Sequence, residues 1–452
     1  MSAQSFLSGR VVLHAGDCRE VLAALPDASV DAVVTDPPYH LASIVKRFGK
    51  AGAAPARSNG ATGIYERASR GFMGQEWDGG TVAFDVATWE AVARVLKPGG
   101  HLAAFAAPKN AHRMVCAIED AGFEIRDTLM WLFGSGFPKS LNVAKAIDKH
   151  LGVDGERIAS GAEVRRIRPG ADQHKVGWEK LDDRTYTPHD YMPGSGDAAK
   201  FDGYGTALKP AYEPIVLARK PLSEGSIAAN VLAHGTGGLN IDGCRVEGLP
   251  KPFVGGTSRH GGQLGGAGVS TGRRSDWNGS DLGRWPANVV HDGSGEVVAA
   301  FPREAGAQRP VSGQEKSSVT SDVYGARGRV AGAFHGDSGS AARFFYTAKA
   351  GAEDRLGSKH PTVKPLALMR WLVRLVAPPG AVILDPFAGT GTTGAAAFCE
   401  GLSAVLIERE AAYRADIERR MALMLAGPEE RRAALTEQAG HDGLPLFSGG
   451  AS

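Results

Sequence analysis

Apolar residues recur along this 452-residue chain in two rhythms, one of strands and one of helices. Val11-Val12-Leu13 and Val30-Asp31-Ala32-Val33-Val34 are short buried-strand patterns, and Cys18 to Leu25 between them is spaced as a helix. Both strands run straight into polar residues. Asp85 to Leu96 places apolar side chains at Val86, Trp89, Val92, Ala93 and Leu96, a helical interval. Lys97-Pro98-Gly99-Gly100 stops it before the apolar run Leu102 to Ala106. Asn110 to Ala121 repeats the helical step, ends at Gly122 and leads into a strand from Glu124 to Phe133. Strands alternating with helices predict an α/β fold, a doubly wound and mostly parallel sheet covered on both faces.

From Gly134 to about Gly205 the rhythm gives way to turn-rich sequence, and Glu213 to Arg219 restores a strand. Residues 255–345 are rich in Gly, Ser, Arg and Asp, a composition that predicts long surface loops rather than a core. Regular patterning then returns, with a helix over Pro365 to Val376 and a strand over Ala381 to Leu384. A helix over Thr392 to Gly401, a strand over Ser403 to Ile407 and a last helix over Ala411 to Leu425 follow.

Composition changes this picture little. Glycine is the skewed count, 61 residues, nearly double the usual share of ~7%. Lys and Arg number 51 against 49 Asp and Glu, so bulk charge does not indicate a polyanionic partner and any basic face is local. Cys18, Cys116, Cys244 and Cys399 stand singly without metal-knuckle spacing, which predicts reduced core thiols and no metal site. No apolar run approaches the ~18–20 residues that cross a bilayer, and Met1 to Gly16 lacks a secretory layout, so a soluble cytoplasmic protein without membrane contact is expected.

Two motifs carry chemistry. Asp385-Pro386-Phe387-Ala388-Gly389-Thr390-Gly391-Thr392-Thr393-Gly394 follows a strand and opens a helix, so its glycines let backbone amides approach a ligand at a helix N-terminus. Gly389, Gly391 and Gly394 also satisfy G-x-G-x-x-G, and Glu408 ends the next strand where an acid holds ribose hydroxyls, so a nicotinamide-dependent oxidoreductase is a fair rival. The second motif, Thr35-Asp36-Pro37-Pro38-Tyr39, directly follows the strand ending at Val34. Its prolines stiffen the turn and leave the Pro37 carbonyl free to accept a hydrogen bond beside the Asp36 carboxylate. Two adjacent acceptors suit an amino group: holding both hydrogens of a delocalised nucleobase amine localises its lone pair for attack on a methyl donor. Tyr39 offers a flat face on which an extruded base stacks.

With these residues the chain resembles the DNA amino-methyltransferases that use S-adenosylmethionine, of the permuted, β-type order in which the catalytic tetrad precedes the cofactor motif. The resemblance implies a Rossmann-like methyltransferase fold and N6-methylation of adenine in double-stranded DNA by base flipping, with cytosine N4 as the alternative. It implies a catalytic set Asp36, Pro37, Pro38 and Tyr39. It implies cofactor contacts by Asp17 after Gly16, by Thr35, Asp385, Phe387, Gly389, Gly391, Thr392, Thr393 and Glu408, and by Thr362 and Lys364 of His360-Pro361-Thr362-Val363-Lys364-Pro365, which closes over the methionine carboxylate. A homodimer is one assembly the family allows. Trp131, Phe133 and Phe137 are candidates for a wall of the base pocket.

The motif order carries a topological consequence: the last quarter of the chain packs beside the first, and the middle is an excursion. We expect a discontinuous catalytic domain from residues 1–139, 206–222 and 355–426, with Glu213 to Arg219 returning as an antiparallel edge strand. Residues 140–205 and 223–354 form the inserted target recognition region, and 427–452 a flexible tail. DNA-contact candidates are Arg165, Arg166, Arg168 and Lys175, then Arg259, Arg273, Arg274, Arg327 and Arg329. Lys46, Arg47, Lys50 and Arg57 lie in or beside a Gly/Ala-rich stretch that orders over DNA. In the tail, Leu444-Pro445-Leu446-Phe447 faintly resembles a sliding-clamp docking motif, with Gly443 where glutamine is usual.

Overall fold

The computed structural model describes residues 3–39, 81–136, 140–161, 189–247, 283–305, 339–348 and 351–427 apart from 352, 353, 357, 359 and 361, together with residue 430 and the backbone of short strands between 164 and 186. Two compact units emerge: Met1–Gly134 with Tyr212–Leu435, and a second that takes in Ser135–Ala211.

The first unit opens with β1 (Ala3–Phe6), β2 (Val11–Ala15), α1 (Cys18–Ala24) and β3 (Val30–Thr35). Then come α2 (Val86–Val95), β4 (Leu96–Phe105), α3 (Ala111–Asp120), β5 (Glu124–Leu132), β6 (Tyr212–Arg219) and α4 (Ile227–His234). After these follow β7 (Val289–His291), α5 (Gly295–Ala300), β8 (Tyr346–Thr347) and α6 (Leu366–Val376). It closes with β9 (Val382–Asp385), α7 (Thr392–Cys399), β10 (Ser403–Glu408) and α8 (Ala411–Met424). The ten strands form one sheet in the order β1-β2-β10-β9-β3-β4-β6-β5-β7-β8. All neighbours run parallel except β1 against β2 and β6 against both β4 and β5.

Successive strand residues face opposite sides, so each apolar run feeds two cores. Val33, Leu102, Ala104 and Leu384 meet Val21, Leu22, Trp89, Val92, Met114 and Ile118 of α1, α2 and α3. Ala32, Val34, Phe105, Ile383 and Leu406 meet Leu368, Leu372, Ala396, Ile417 and Met421 of α6, α7 and α8. Helix starts are fixed by local side chains: the Asp17 carboxylate accepts from the Arg19 amide at 3.0 Å, and Asp85 accepts from the Ala87 amide at 3.2 Å. β9 continues through α7 to β10 on one side, while β3 leads to β4 on the other, so the order reverses between β9 and β3, where such sheets place ligands.

Three expectations change. β6 is antiparallel but internal, wedged between β4 and β5, so that its backbone groups are paired on both sides and Pro214 to Arg219 is buried throughout, whereas an edge position would leave one row of N–H and C=O groups without a ladder partner. Val290, Ala341 and Ala342 are buried and β7 and β8 extend the sheet, so the described parts of 223–354 belong to the compact first unit rather than to an excursion outside it. Cys18 and Cys244 are buried, whereas Cys116 and Cys399 are exposed because they fall on outward positions of α3 and α7.

In the second unit the helix Val143–Leu151 starts at Asn142, whose side chain accepts from Lys145, and stops at Gly152 with φ +70°. Strand Glu156–Ala159 pairs antiparallel with His189–Met192. The buried Asp148 ties the helix to the second of these strands and the turn after it, accepting from Tyr191 Oη and the Gly194 amide at 2.8 Å each and from the Ser195 amide at 3.0 Å.

Candidate functional site

The two motifs meet at the C-terminal ends of adjacent strands, since Ile383 and Leu384 of β9 pair with Ala32 and Val33 of β3. One buried carboxylate fastens them together. Thr35 Oγ1 donates to Asp385 Oδ1 at 2.6 Å, Thr393 Oγ1 donates to Asp385 Oδ2, and the Phe387 amide donates to Oδ1 at 3.1 Å. Burial pushes the Asp385 carboxyl up to about 6 against the pull of these donors.

The loop after β9 is shaped by glycine at two positions. Gly389 and Gly391 have φ of +52° and +76°, and a Cβ on Gly391 would lie 3.0 Å from Ile417. A Cβ at Gly394 would come within 2.8 Å of Leu406, so this third glycine lets α7 lie close on β10. Glu408, at the end of β10, accepts the Gly389 amide on Oε2 at 2.8 Å and the Glu410 amide on Oε1 at 2.7 Å. Burial raises its carboxyl to about 7, opposed by those two amides. Arg420 of α8 steadies the same loop, with Nε donating to the Thr390 carbonyl at 2.7 Å. Thr392 and Thr390 share a hydrogen bond at 3.3 Å. The Thr362 amide donates to His360 Nδ1 at 3.3 Å, and burial lowers the His360 imidazole to about 4, so it is neutral beside Gly389.

Beyond β3 the chain turns through Pro37 and Pro38 to Tyr39, whose carbonyl accepts from Asn110 Nδ2 at 2.9 Å. Tyr39 Oη donates to Asp36 Oδ1 at 2.7 Å. The Lys364 ammonium, 5% exposed, lies 2.8 Å from Asp36 Oδ2, 2.9 Å from Glu213 Oε2 and 3.0 Å from Tyr39 Oη. Burial by itself lowers the Lys364 pKa, but Asp36 and Glu213 outweigh it and hold the amine above the usual lysine value. Burial and the same two carboxylates push the Tyr39 phenol well above its ordinary range.

A single cavity of about 330 Å³ joins both motifs. Gly16, Asp17, Asp36 to Tyr39, Thr362, Lys364, Asp385, Phe387, Gly389, Thr392, Thr393 and Glu408 border it. Thr35 stands behind Asp385 rather than on the wall, and Gly391 acts through the turn that starts α7. Lys364, expected against a cofactor carboxylate, is engaged instead by Asp36, Glu213 and Tyr39. Trp131 is buried in the core against Phe133, and neither lines the cavity. Among the DNA-contact candidates, Arg165 is described only as backbone; Arg166, Arg168, Lys175, Arg259, Arg273, Arg274, Arg327 and Arg329 lie outside the described residues. So do Lys46, Arg47, Lys50, Arg57, Phe137, Pro361 and the tail segment Leu444 to Phe447. Sequence reading missed Glu213, His360 as a wall of the glycine loop, and Arg420. The one available signal for Glu213 was a charged residue at the mouth of an otherwise apolar strand.

A crevice at the switch point of a doubly wound sheet, with a glycine cradle, a ribose-type acid and a proline-stiffened acidic turn in one cavity, defines an α/β ligand-binding enzyme fold. The chain belongs to the DNA methylase family of N6 and N4 methylases, whose model matches residues 30–419. Among curated relatives, 85 residues are 39% identical to Type II methyltransferase M.HinfI of Haemophilus influenzae, covering 19% of this chain and 24% of that protein. A stretch of 54 residues is 44% identical to DNA adenine methyltransferase YhdJ of Escherichia coli (strain K12), covering 12% of this chain and 18% of that protein. The matched stretches thus span a quarter or less of these relatives. Similar solved structures include the M1.HpyAVI–SAM complex, 13% identical with a TM-score of 0.36, covering 91% of this chain and 98% of that one. PvuII DNA methyltransferase, cytosine-N4-specific, is 11% identical with a TM-score of 0.38 and 97% coverage of both. No described helix is long and apolar enough to cross a membrane.

Proposed function

We propose that the protein is an S-adenosylmethionine-dependent DNA methyltransferase of the permuted, β-type order that modifies the N6 amino group of adenine in double-stranded DNA. The observation that carries the reading is the joining of the Asp36 turn and the Asp385 to Thr393 cradle in one cavity, bolted through Asp385 to Thr35 and Thr393. The residues fit the cofactor. Gly389 leaves open the space a side chain would fill, and each Glu408 oxygen has one backbone donor and lone-pair capacity for a ribose hydroxyl. Of the residues that line the cavity, Gly389, Phe387, Thr392 and Thr393 would hold the amino-acid end and Asp17 would face the adenine side. When bound, S-adenosylmethionine supplies an electrophilic methyl group.

The chain's own residues then act on the base. Asp36 and the Pro37 carbonyl accept the two hydrogens of the amine and fix its lone pair, Tyr39 walls the pocket, and the rigid Pro37-Pro38 turn keeps both acceptors in place. An aspartate at the head of the tetrad favours adenine in this family. Recognition falls to residues 140–205 and to the loops within 223–354, with a homodimer and a sliding-clamp contact through the tail as further parts of the reading.

The deciding experiment expresses the protein in a methylation-deficient bacterial host and maps modified bases by long-read sequencing. N6-methyladenine in one short motif is the expected outcome. N4-methylcytosine overturns the base assignment, and an unmodified genome overturns the proposal.

A further inference from the structure

Both oxygens of the Asp36 carboxylate, assigned above to the substrate amine, are already engaged: Oδ1 holds Tyr39 Oη at 2.7 Å and Oδ2 holds the Lys364 ammonium at 2.8 Å. An amine that takes Asp36 therefore competes with a donor already in place. A displaced, unpaired ammonium at this depth is strongly unfavourable, because Lys364 is 5% exposed and packs over the Phe105 ring at 4.8 Å. Glu213 resolves the conflict. Its Oε2 lies 2.9 Å from Lys364 Nζ and 3.3 Å from Tyr39 Oη, so both donors that occupy Asp36 already touch a second acceptor. Glu213 reaches this point from β6, internal in the sheet and paired with β5 at Trp131, and it does not border the cavity. It is thus placed to hold the donors but not to hold the substrate.

We propose that Glu213 is a positioning residue for the methyl transfer: it receives the Lys364 ammonium and the Tyr39 hydroxyl when the base amine takes Asp36, so that Lys364 guards the empty pocket and withdraws without losing its charge partner. The inference rests on the methyltransferase reading, and the test keeps the two apart.

Wild-type protein, Glu213→Gln, Lys364→Met and the double variant are assayed on duplex DNA carrying the mapped motif. In Glu213→Gln the ammonium is left with Asp36 as its one anionic partner among the described residues. We expect kcat to fall about 10- to 100-fold, the scale of one charged hydrogen bond, with KM for DNA and calorimetric affinity for S-adenosylmethionine unchanged. The defect shrinks as pH rises toward the lysine's pKa, because a neutral amine releases Asp36. Adding Lys364→Met to Glu213→Gln recovers activity, since no cation then competes for Asp36. Damage to the fold produces neither the pH recovery nor the rescue. If Glu213→Gln does not fold, Glu213→Asp, which keeps the charge and shortens its reach, takes its place with the same expected split and recovery. A wild-type enzyme that methylates alongside a Glu213→Gln variant of equal kcat overturns the role of Glu213, as does a double variant no better than the single one. A wild-type protein that modifies no DNA overturns the methyltransferase reading instead.

Discussion

Glu408→Gln isolates the energetics of the ribose-side acid. In the fold the carboxyl titrates at about 7 against an ordinary 4.5, a rise caused first by burial. An acid whose folded pKa is raised binds its proton more tightly in the native state than in the unfolded chain. Stability from this group is therefore fully present below pH 4.5 and declines as pH climbs through 7. The shift corresponds to about 3 kcal/mol, most of it lost between pH 5 and pH 8. Glutamine carries no such titration but gives up one of the two acceptors, for the Gly389 or the Glu410 amide, at a cost of about 1–3 kcal/mol. Wild type is thus the more stable protein at pH 5, and by pH 8 the gap closes or reverses. The assay is urea unfolding of both proteins at several pH values, read as their difference so that other groups cancel. A difference constant to about 0.5 kcal/mol from pH 5 to pH 8 would refute the burial of an ionisable Glu408.

Ligand donors to Glu408 favour its ionised form, so affinity for S-adenosylmethionine should rise with pH through about 7 with proton release, and calorimetry in two buffers of different ionisation enthalpy checks this. Asp36→Ala should abolish methylation while cofactor affinity stays within a few-fold; an active variant sinks the role given to Asp36. Gly389→Val places a branched side chain at φ +52°, with its Cβ 3.4 Å from the His360 ring, and should lose cofactor binding by calorimetry, with wild-type affinity as the contrary result. Thr35→Val removes one donor from the buried Asp385 and should destabilise the protein by about 1–3 kcal/mol above pH 6, measured by urea unfolding.

Much of the first unit was legible because burial on both faces imposes continuous apolar strands and amphipathic helices, and β2, β3, β5, β9 and β10 fall within a residue or two of their sequence patterns, whereas β4 starts at Leu96, six residues ahead of the expected run, through the Lys97 to Gly100 stretch read as a stop. The order of motifs placed the end of the chain beside its beginning. Position within the sheet was less legible: the apolar run of β6 says that it is covered, and only the ladder with β4 and β5 says by what. β7 and β8 escaped notice because three and two residues are too few to show a period. Lys364 was read from the sequence as a charge for the cofactor's carboxylate. Which partner it takes depends on Glu213, some 150 positions away, and no local pattern connects them. Asp17 shows the opposite case, a motif residue whose carboxylate is also a helix cap.

β5 and β6 are neighbours in the sheet, and Leu132 pairs directly with Tyr212. From the sheet's side, everything the chain does between these two residues amounts to the loop of a hairpin whose ends are held one ladder rung apart. The ladder between Leu132 and Tyr212 sets the register of both strands, whatever the length of chain that joins them. The first unit therefore works as a socket: the segment between the two strands can change without a change in the ladder that carries it.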